Sequence, residues 1–389
     1  MKIVLVVHTA YPEFIGGREH HVHHLASILS KNDTVVVIAG GRGKGKQKRI
    51  VDGYTLITLP MISITVSHNP LQIYRIIPKL YSCLSNEKPD IVHAFEYGSF
   101  STNIVHFYTK KCNIPFVVTI YGYQFTNVLL KFLKILYDRF IGKRLLLDAH
   151  KILCPSDTQR KEIININNKN SFKNKIILQE NCIPVDKYKD IAINEELLKL
   201  YNITIRNKVT LLTATRLLPR KGIKYLLFAL DTIKREYQLK NIQLLLAGPD
   251  CGELSNIKKI IKKLDLGNNV SILGSIPFQN MKYFMFICDI FVLPSLYEGL
   301  PLSLLEAMAA RKSVISTDLP CARKIITHLE NGFLVKPGDV DSLVRAVITL
   351  SADKNMRINL GRKAQESVKQ LDSYAEAKKL REIYASILQ

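Results

Sequence analysis

The stretch PSLYEGLPLSLLEAMAARKSVISTD, residues 294–318, combines two carboxylates with the start of a helix. Glu298 lies in a Tyr-Glu-Gly-Leu-Pro turn, and Glu306 follows eight residues later in a segment that Pro301 opens as a helix. Proline fits the first helical turn because its missing N–H would have no partner there. Eight residues make slightly more than two helical turns. We therefore expect both carboxylates on one side of a cleft, where they can accept hydrogen bonds from hydroxyl-bearing groups on either side of a phosphate.

The residues around the two glutamates resemble a known signature. Glu298 and Glu306, in the context YEGLPLSLLEAMA, are similar to the E-x7-E motif of retaining glycosyltransferases of family 4, which have the GT-B fold. The resemblance implies that Glu298 binds hydroxyls of a donor sugar and that Glu306 binds the ribose of its nucleotide. The alternative is an amphipathic helix with Glu306 in solvent. The neighbours of Glu306 are apolar, however, and a buried carboxylate among them would need partners.

Length and composition predict two soluble domains. A chain of 389 residues is long for one core and comfortable for two. No run of 18 apolar residues predicts a membrane span, and the first apolar run has no cleavage site after it, which favours a strand over a secretion signal. The seven cysteines are scattered and form no C-x-x-C pair, which predicts reduced thiols in a cytoplasmic protein without disulfides or zinc.

The net charge of +22 is spread evenly along the chain, since residues 1–200 carry half of it. A nucleic-acid-binding domain would usually concentrate such an excess, and the sequence lacks aromatic-basic interleaving and tryptophan. The even spread fits a protein that works on anions near an anionic surface. A lysine-rich proteome without functional meaning explains the charge equally well.

Alternation of apolar runs with helical patterns occurs twice and predicts mainly parallel sheets covered on both faces. We expect an α/β chain with two facing Rossmann-like, doubly wound domains and a deep interdomain cleft. The acceptor-side domain would span 1–190 and the donor-binding domain 200–371, with a helix over 372–389 that packs back on the first. The predicted strands are 2–7, 34–39, 54–59, 90–94, 115–120, 150–154, 209–214, 242–247, 270–273, 290–293, 313–316 and 333–335. The predicted helices lie near 17–30, 70–86, 99–111, 128–147, 156–166, 221–237, 253–264, 277–285, 300–310, 319–328 and 339–350.

Ligands of open α/β sheets collect beyond the carboxyl ends of the strands, and that is where further motifs lie. After the strand 209–214, Arg216 and Lys221 resemble the family's G-R-x-x-x-x-K-G element, with Thr215 in place of its glycine. A planar guanidinium and a mobile ammonium can neutralise a diphosphate leaving group. After the first strand, Gly16 and Gly17 resemble the family's Gly-Gly loop, and glycine lets the backbone approach a ligand closely.

Two acceptor-side candidates follow first-domain strands. His93 matches the first histidine of the family's D-x-x-H-x-H segment, and a packed, hydrogen-bonded histidine is the equal alternative. Tyr121 stands where the related T-x-H-G segment has a histidine; a phenol can bind a sugar hydroxyl but is a poor general base at neutral pH. The histidines of HHVHH at 20–24 favour a packed or solvent-facing helix over a metal site, because the glutamate of H-E-x-x-H is absent.

The resemblance also assigns a nucleotide pocket. Gly248 ends one strand, and the backbone at Ile276 after another would read the base edge. At the helix start, the N–H groups of Leu302 and Ser303 point out of a positive helix end that suits an anion. The expected catalytic residues are Arg216, Lys221 and Glu298. The expected donor-binding residues are Gly16, Gly17, Gly248, Ile276, Gly299, Leu300, Pro301, Leu302, Ser303 and Glu306.

The implied reaction is transfer of a sugar from a nucleotide-diphosphate sugar, with retention and without a covalent intermediate, a metal or another cofactor. Residues 128–151 mix apolar and basic side chains, which fits an interfacial helix on an anionic leaflet or, equally, a covering helix of the first domain. The acceptor would be a glycan or a lipid-linked sugar at the cytoplasmic membrane face. Two alternatives are a sugar-nucleotide epimerase of similar fold and a basic nucleic-acid-binding protein. A phosphorylase-like enzyme would need a far longer chain and a pyridoxal lysine.

Overall fold

The computed structural model describes residues 1–14, 16–65, 73–121, 128–155, 157–166, 172–179, 182–189, 191–205, 208–237, 241–299 and 301–389. The chain divides into two compact units. The first unit comprises Met1–Cys182 and Ser373–Gln389, and the second comprises Ile183–Asp372. The first unit thus ends before the predicted boundary at 190, and the C-terminal helix belongs to it.

The strands of the first unit are β1 Lys2–Val6, β2 Thr34–Gly41, β3 Gln47–Val51, β4 Tyr54–Pro60, β5 Ile62–Thr65, β6 Ile73–Ile76, β7 Ile91–Ala94, β8 Phe116–Thr119, β9 Lys151–Cys154 and β10 Ile176–Leu178. Eight of them form a sheet in the order β10-β9-β8-β7-β1-β2-β4-β3, and β5 and β6 form a separate antiparallel pair. All neighbouring pairs of the large sheet are parallel except β3 with β4. The helices are α1 Gly17–Leu29, α2 Leu80–Glu87, α3 Phe100–Cys112, α4 Val128–Tyr137, α5 Lys143–Asp148 and α6 Asp157–Ile166.

The strands of the second unit are β11 Val209–Ala214, β12 Ile242–Ala247, β13 Val270–Gly274, β14 Ile290–Leu293, β15 Ser313–Thr317 and β16 Phe333–Val335. They form a six-stranded parallel sheet in the order β13-β12-β11-β14-β15-β16. Its helices are α7 Glu195–Leu200, α8 Ile223–Glu236, α9 Leu254–Lys263, α10 Phe278–Ile287, α11 Leu302–Ala309, α12 Val340–Ala352 and α13 Lys354–Val368. The last helix, α14 Ser373–Leu388, returns to the first unit and packs on α1.

The central strands of both large sheets are buried on both faces, as a parallel sheet covered by helices requires. In the second unit, alternate residues of β11 enter two different cores: Leu212 packs with α11, and Leu211 packs with α8 and α12. In the first unit, Val4 and Leu5 of β1 likewise point into opposite cores. The continuous apolar runs that predicted the strands are therefore explained by burial on both faces.

Several predicted elements were wrong in detail. The helix expected near 70–86 is α2 alone, and strand β6 precedes it. The segment 319–328, expected to be a helix, is a set of turns. Arg323 and Ile326 donate their N–H groups to the carbonyls of Leu319 and Ala322, as in a helix, but the N–H of Thr327 is bonded by the side chain of Asn331. The segment 128–147 is helical but changes to a π-helical turn at Asp138–Gly142 between α4 and α5. The short or polar elements β3, β5, β10, α7 and the long α13 were not predicted.

Candidate active site of the second unit

The second unit has a topological switch point between β11 and β14. From β11 the chain continues to β12 and β13 on one side, and β14 then pairs with β11 on the other side. Such a switch opens a crevice beyond the carboxyl ends of the two strands, where α/β sheets bind ligands. The loop after β11 carries Arg216 and Lys221, and the loop after β14 carries Glu298. The topology therefore brings these three predicted residues to one edge of the sheet.

A buried ion pair joins the two loops. The Nζ of Lys221 contacts Oε1 of Glu298, and both side chains are only 8% exposed. Ser295, itself fully buried, donates its hydroxyl to the same Glu298 oxygen at 2.7 Å. Burial lowers the pKa of Lys221, and the neighbouring carboxylate of Glu298 opposes this shift. Lys221 and Glu298 thus form a buried ion pair with each other. The sequence analysis assigned Lys221 to the diphosphate of the donor and Glu298 to its sugar.

Backbone contacts hold the two loops in register. Leu296 donates its N–H to the carbonyl of Arg220 at 2.8 Å, and the guanidinium of Arg220 donates to the carbonyl of Tyr297 at 3.2 Å. Gly222 has φ +67°, and a Cβ there would lie 2.0 Å from the carbonyl oxygen of Pro294. Glycine is therefore required for the close approach of the loops. Arg220, which the sequence did not single out, takes part in these contacts between the two loops.

Other predicted donor residues lie at the adjacent strand ends. Arg216 is exposed, and its charge acts on Lys221. Gly248 donates its N–H to Gly274 at 2.7 Å, which joins the ends of β12 and β13. Gly248 has φ +141°, and a Cβ there would lie 1.8 Å from the carbonyl oxygen of Thr215. The side chain of Ile276 is buried, so a ligand at this position would meet its backbone.

Glu306 lies in α11 and is buried, with 6% of its surface exposed. Burial raises its pKa to about 7, and a hydrogen bond from Tyr188 partly opposes this shift. Tyr188 is also buried and lies in the turn Val185–Tyr188 at the start of the second unit. The solvent-facing alternative for Glu306 is excluded. Tyr188 is a site residue that the sequence did not reveal, because no local motif marks it.

The start of α11 differs slightly from the prediction. Pro301 is the N-cap residue rather than the first helical residue, and Leu304 donates its N–H to the Pro301 carbonyl at 3.1 Å. Helix geometry leaves the N–H groups of Leu302 and Ser303 without an intrahelical acceptor. A Cβ on Gly299 would meet no atom within 4 Å. Leu300 lies outside the described residues.

The first-unit candidates have distinct environments. Gly16 is the N-cap of α1 and Gly17 its first residue. His93 is fully buried: its Nδ1 lies 2.5 Å from the hydroxyl of Tyr384 in α14, and its Nε2 lies 2.7 Å from that of Thr119. Burial lowers the pKa of His93 to about 3. His93 is therefore the packed, hydrogen-bonded histidine of the alternative prediction, and it ties α14 to the sheet.

Tyr121 follows β8 and has a buried hydroxyl; burial raises its pKa. Three of the histidines at 20–24, His21, His23 and His24, are buried. His23 is bonded to the hydroxyl of Tyr54 at 3.1 Å. These contacts agree with a packed helix.

Comparison with known proteins identifies the class. The family model "Glycosyltransferase Family 4" matches residues 15–186, and "Glycosyl transferases group 1" matches residues 202–367. The two matches together cover most of the chain, which therefore belongs to the group 1, family 4 glycosyltransferases of GT-B fold.

Two relatives are similar to this chain in sequence, and one solved structure is similar to it in fold. The UDP-Gal:alpha-D-GlcNAc-diphosphoundecaprenol alpha-1,3-galactosyltransferase of Escherichia coli is 26% identical, over 72% of this chain and 70% of that protein. The N,N'-diacetylbacillosaminyl-diphospho-undecaprenol alpha-1,3-N-acetylgalactosaminyltransferase of Campylobacter jejuni is 25% identical, over 62% of this chain and 61% of that protein. The crystal structure of Anabaena HepE in complex with UDP has a TM-score of 0.74 at 18% identity, covering 99% of this chain and 100% of that chain.

Proposed function

We propose that this chain is a retaining, metal-independent glycosyltransferase that moves a sugar from a UDP-sugar to a lipid-linked or glycan acceptor at the cytoplasmic face of a membrane. The observation that carries the proposal is the buried Lys221–Glu298 pair beyond the ends of β11 and β14. The second unit would bind the donor, and the first would bind the acceptor.

The proposed chemistry follows from the charges at this edge. Arg216 is exposed and can meet a diphosphate directly, while Lys221 shares its charge between Glu298 and the leaving group. Two cations beside a helix start can stabilise the departing diphosphate in the way that Mg²⁺ does elsewhere. Arg216 and Lys221 therefore support metal independence.

Glu298 supports a mechanism without a covalent intermediate. Its Oε1 is engaged by Lys221 and Ser295. A glycosyl ester formed at either carboxylate oxygen would be neutral and would leave the buried charge of Lys221 without its partner. In this position Glu298 can accept hydrogen bonds from the donor sugar while the leaving phosphate takes the acceptor proton. The acceptor would then attack from the same face of the sugar that the diphosphate leaves, and the anomeric configuration would be retained.

The names of relatives indicate the substrates. The Escherichia coli relative is named for UDP-galactose and a diphosphoundecaprenol-linked sugar, and the Campylobacter jejuni relative is also named for a diphospho-undecaprenol acceptor. HepE was crystallised with UDP. We therefore favour a UDP-sugar donor and a polyprenyl diphosphate-linked sugar acceptor.

An exposed apolar and basic surface on the first unit supports membrane contact. No described helix is long and apolar enough to cross a membrane. Instead, large apolar side chains in α4, the π-helical turn and α5 are exposed: Phe132 55%, Ile135 62%, Leu136 37%, Phe140 62%, Ile141 47% and Leu147 37%. Arg139 and Arg144 are exposed in the same segment. An apolar stripe with interspersed cations suits an anionic leaflet.

Turnover assays test the reaction. Wild-type chain is incubated with UDP-sugars and a polyprenyl diphosphate-linked N-acetylglucosamine, with and without EDTA. We expect transfer that survives chelation and an α-linked product from an α-linked donor, read from the anomeric proton coupling. Loss of turnover in EDTA, or a β-linked product, would refute metal independence or retention respectively. Conversion of the donor to another sugar nucleotide without acceptor would favour the epimerase, and a salt-dependent gel shift without donor binding would favour a nucleic-acid-binding protein.

Vesicle flotation tests the membrane surface. We expect the chain to float with anionic vesicles at low salt and the double variant Phe132→Ser/Phe140→Ser to stay in solution. Ile358→Ser is the matched control, because Ile358 is 60% exposed on the second unit. Equal flotation of the double variant and the control would refute this surface.

A further inference from the structure

The first unit has a switch point of its own. Strand β1 lies between β7 and β2. From β1 the chain continues to β2 on one side, and β7 later pairs with β1 on the other side. The carboxyl ends of β1 and β7 therefore border a crevice of the kind in which α/β sheets bind ligands. His8 follows β1, Glu96 follows β7, and Tyr121 follows the adjacent β8.

Glu96 is the centre of a polar cluster at this edge. It is buried, with 9% of its surface exposed. One of its carboxylate oxygens contacts Nδ1 of His8, and the other contacts the guanidinium of Arg18 in the first turn of α1. Its backbone carbonyl accepts the hydroxyl of Thr102 at 2.8 Å. The hydrogen bond from Thr102 thus holds the main chain of Glu96 in place, and the Glu96 carboxylate orients His8 and Arg18.

Two polar atoms of the cluster have capacity for a ligand. His8 Nε2 and the Tyr121 hydroxyl are both buried, and neither has a hydrogen-bond partner within the part of the chain that the structure describes. Arg18 lies next to Tyr121, with its guanidinium carbon 5.9 Å from the ring centroid. Buried polar groups in native proteins nearly always have a hydrogen-bond partner. Two such atoms without one, at the same strand-end crevice, therefore indicate a ligand.

The chemistry of these atoms selects hydroxyl groups. Because Nδ1 of His8 faces a carboxylate, the proton of the neutral ring belongs on Nδ1, and Nε2 is left as an acceptor. The phenol of Tyr121 can donate or accept. An acceptor nitrogen and an amphoteric hydroxyl match a polyol, each of whose hydroxyls donates and accepts.

We propose that His8 and Tyr121 bind hydroxyls of the acceptor sugar, with Glu96 and Arg18 as their positioning residues. The assignment rests on the proposed function and deepens it, since it gives the first unit a defined sugar site. Tyr121 then acts as a binding residue and needs no proton-transfer role.

Direct binding of an acceptor separates this site from the donor site. The probe is a water-soluble farnesyl diphosphate-linked N-acetylglucosamine, titrated by calorimetry without donor, and UDP is titrated separately. We expect Tyr121→Phe and His8→Gln each to weaken acceptor binding about 10-fold, as the loss of one hydrogen bond does, and to raise the acceptor KM more than they lower kcat. UDP affinity should be unchanged.

Two matched variants control for structural effects in the same unit. Tyr108→Phe removes a buried hydroxyl that bonds the Leu84 carbonyl, and His106→Gln breaks another histidine–carboxylate pair, with Asp148. Both should bind the acceptor like the wild type. Unchanged acceptor affinity in Tyr121→Phe and His8→Gln, or no acceptor binding by the wild type, would overturn the site. A wild type that binds the acceptor but neither binds UDP nor transfers sugar would instead overturn the proposed function and leave the sugar site standing.

Discussion

Glu306 makes the stability of the second unit depend on pH. Its pKa is raised to about 7 from 4.5, with burial as the main cause. Between these two values the unfolded chain loses the proton and the native chain keeps it, so stability falls as pH rises through this window. Below it both states are protonated, and above it both are ionised. A difference of about 2.5 pKa units corresponds to about 3 kcal/mol.

The substitution Glu306→Gln isolates this effect. Glutamine keeps an oxygen that can accept the Tyr188 hydroxyl but cannot ionise. We expect the difference in unfolding free energy between Glu306→Gln and wild type to shift by about 3 kcal/mol in favour of the variant from pH 4 to pH 8. For a unit of this size that shift is roughly 6–12 °C in melting temperature. Differential scanning calorimetry across this pH range, with the transition of each unit fitted separately, measures it.

Glu236→Gln is the matched control, because Glu236 is exposed on α8 in the same unit. Its stability difference from wild type should be the same at both pH values. If the curves of Glu306→Gln and wild type ran parallel from pH 4 to pH 8, Glu306 would titrate normally, and the burial argument would be refuted.

Three further substitutions have defined outcomes. Lys221→Ala should destabilise the second unit by about 3–5 kcal/mol in urea unfolding, because it leaves the Glu298 charge buried and unpaired; a loss below about 1 kcal/mol would contradict this. Arg216→Ala should change the melting temperature little, since Arg216 is exposed, yet weaken UDP binding about 10- to 100-fold by calorimetry; unchanged affinity would exclude it from the phosphate site. Tyr384→Phe should cost about 1–2 kcal/mol in urea unfolding because it removes the partner of His93 Nδ1, and a neutral result would show that α14 is held by apolar packing alone.

The parallel strands were predictable because burial on both faces gives each of them a continuous apolar run. All six predicted strands of the second unit are present within one residue of their predicted ends. The edge strand β3, QKRIV, is mostly polar and shows no such run. It forms a strand through backbone pairing with β4, which its own composition does not predict. At 319–328 the structure has turns instead of the predicted helix, and the N–H of Thr327 is bonded by the side chain of Asn331, three residues beyond the predicted end.

The candidate site was predictable to the level of strand ends but not of side-chain partners. Arg216, Lys221 and Glu298 follow β11 and β14, and sheet topology alone brings them to one edge. The pairing of Lys221 with Glu298 is a tertiary contact without a sequence signal, since a lysine that binds phosphate and one that neutralises a carboxylate have the same local sequence. Tyr188 lies in a segment without periodicity, so its contact with Glu306 had no sequence signal.

The same topological rule, applied to the first unit, would have directed attention to His8 and Glu96. Resemblance to the family instead favoured His93, a residue within β7, whose side chain enters the core because β7 is buried along its length. Two residues after β7 ends, Glu96 lies at the sheet edge and can reach the residue that follows β1. Ligands of this fold bind beyond the carboxyl ends of the strands, and that rule separates the cluster around Glu96 from His93 more sharply than the motif does.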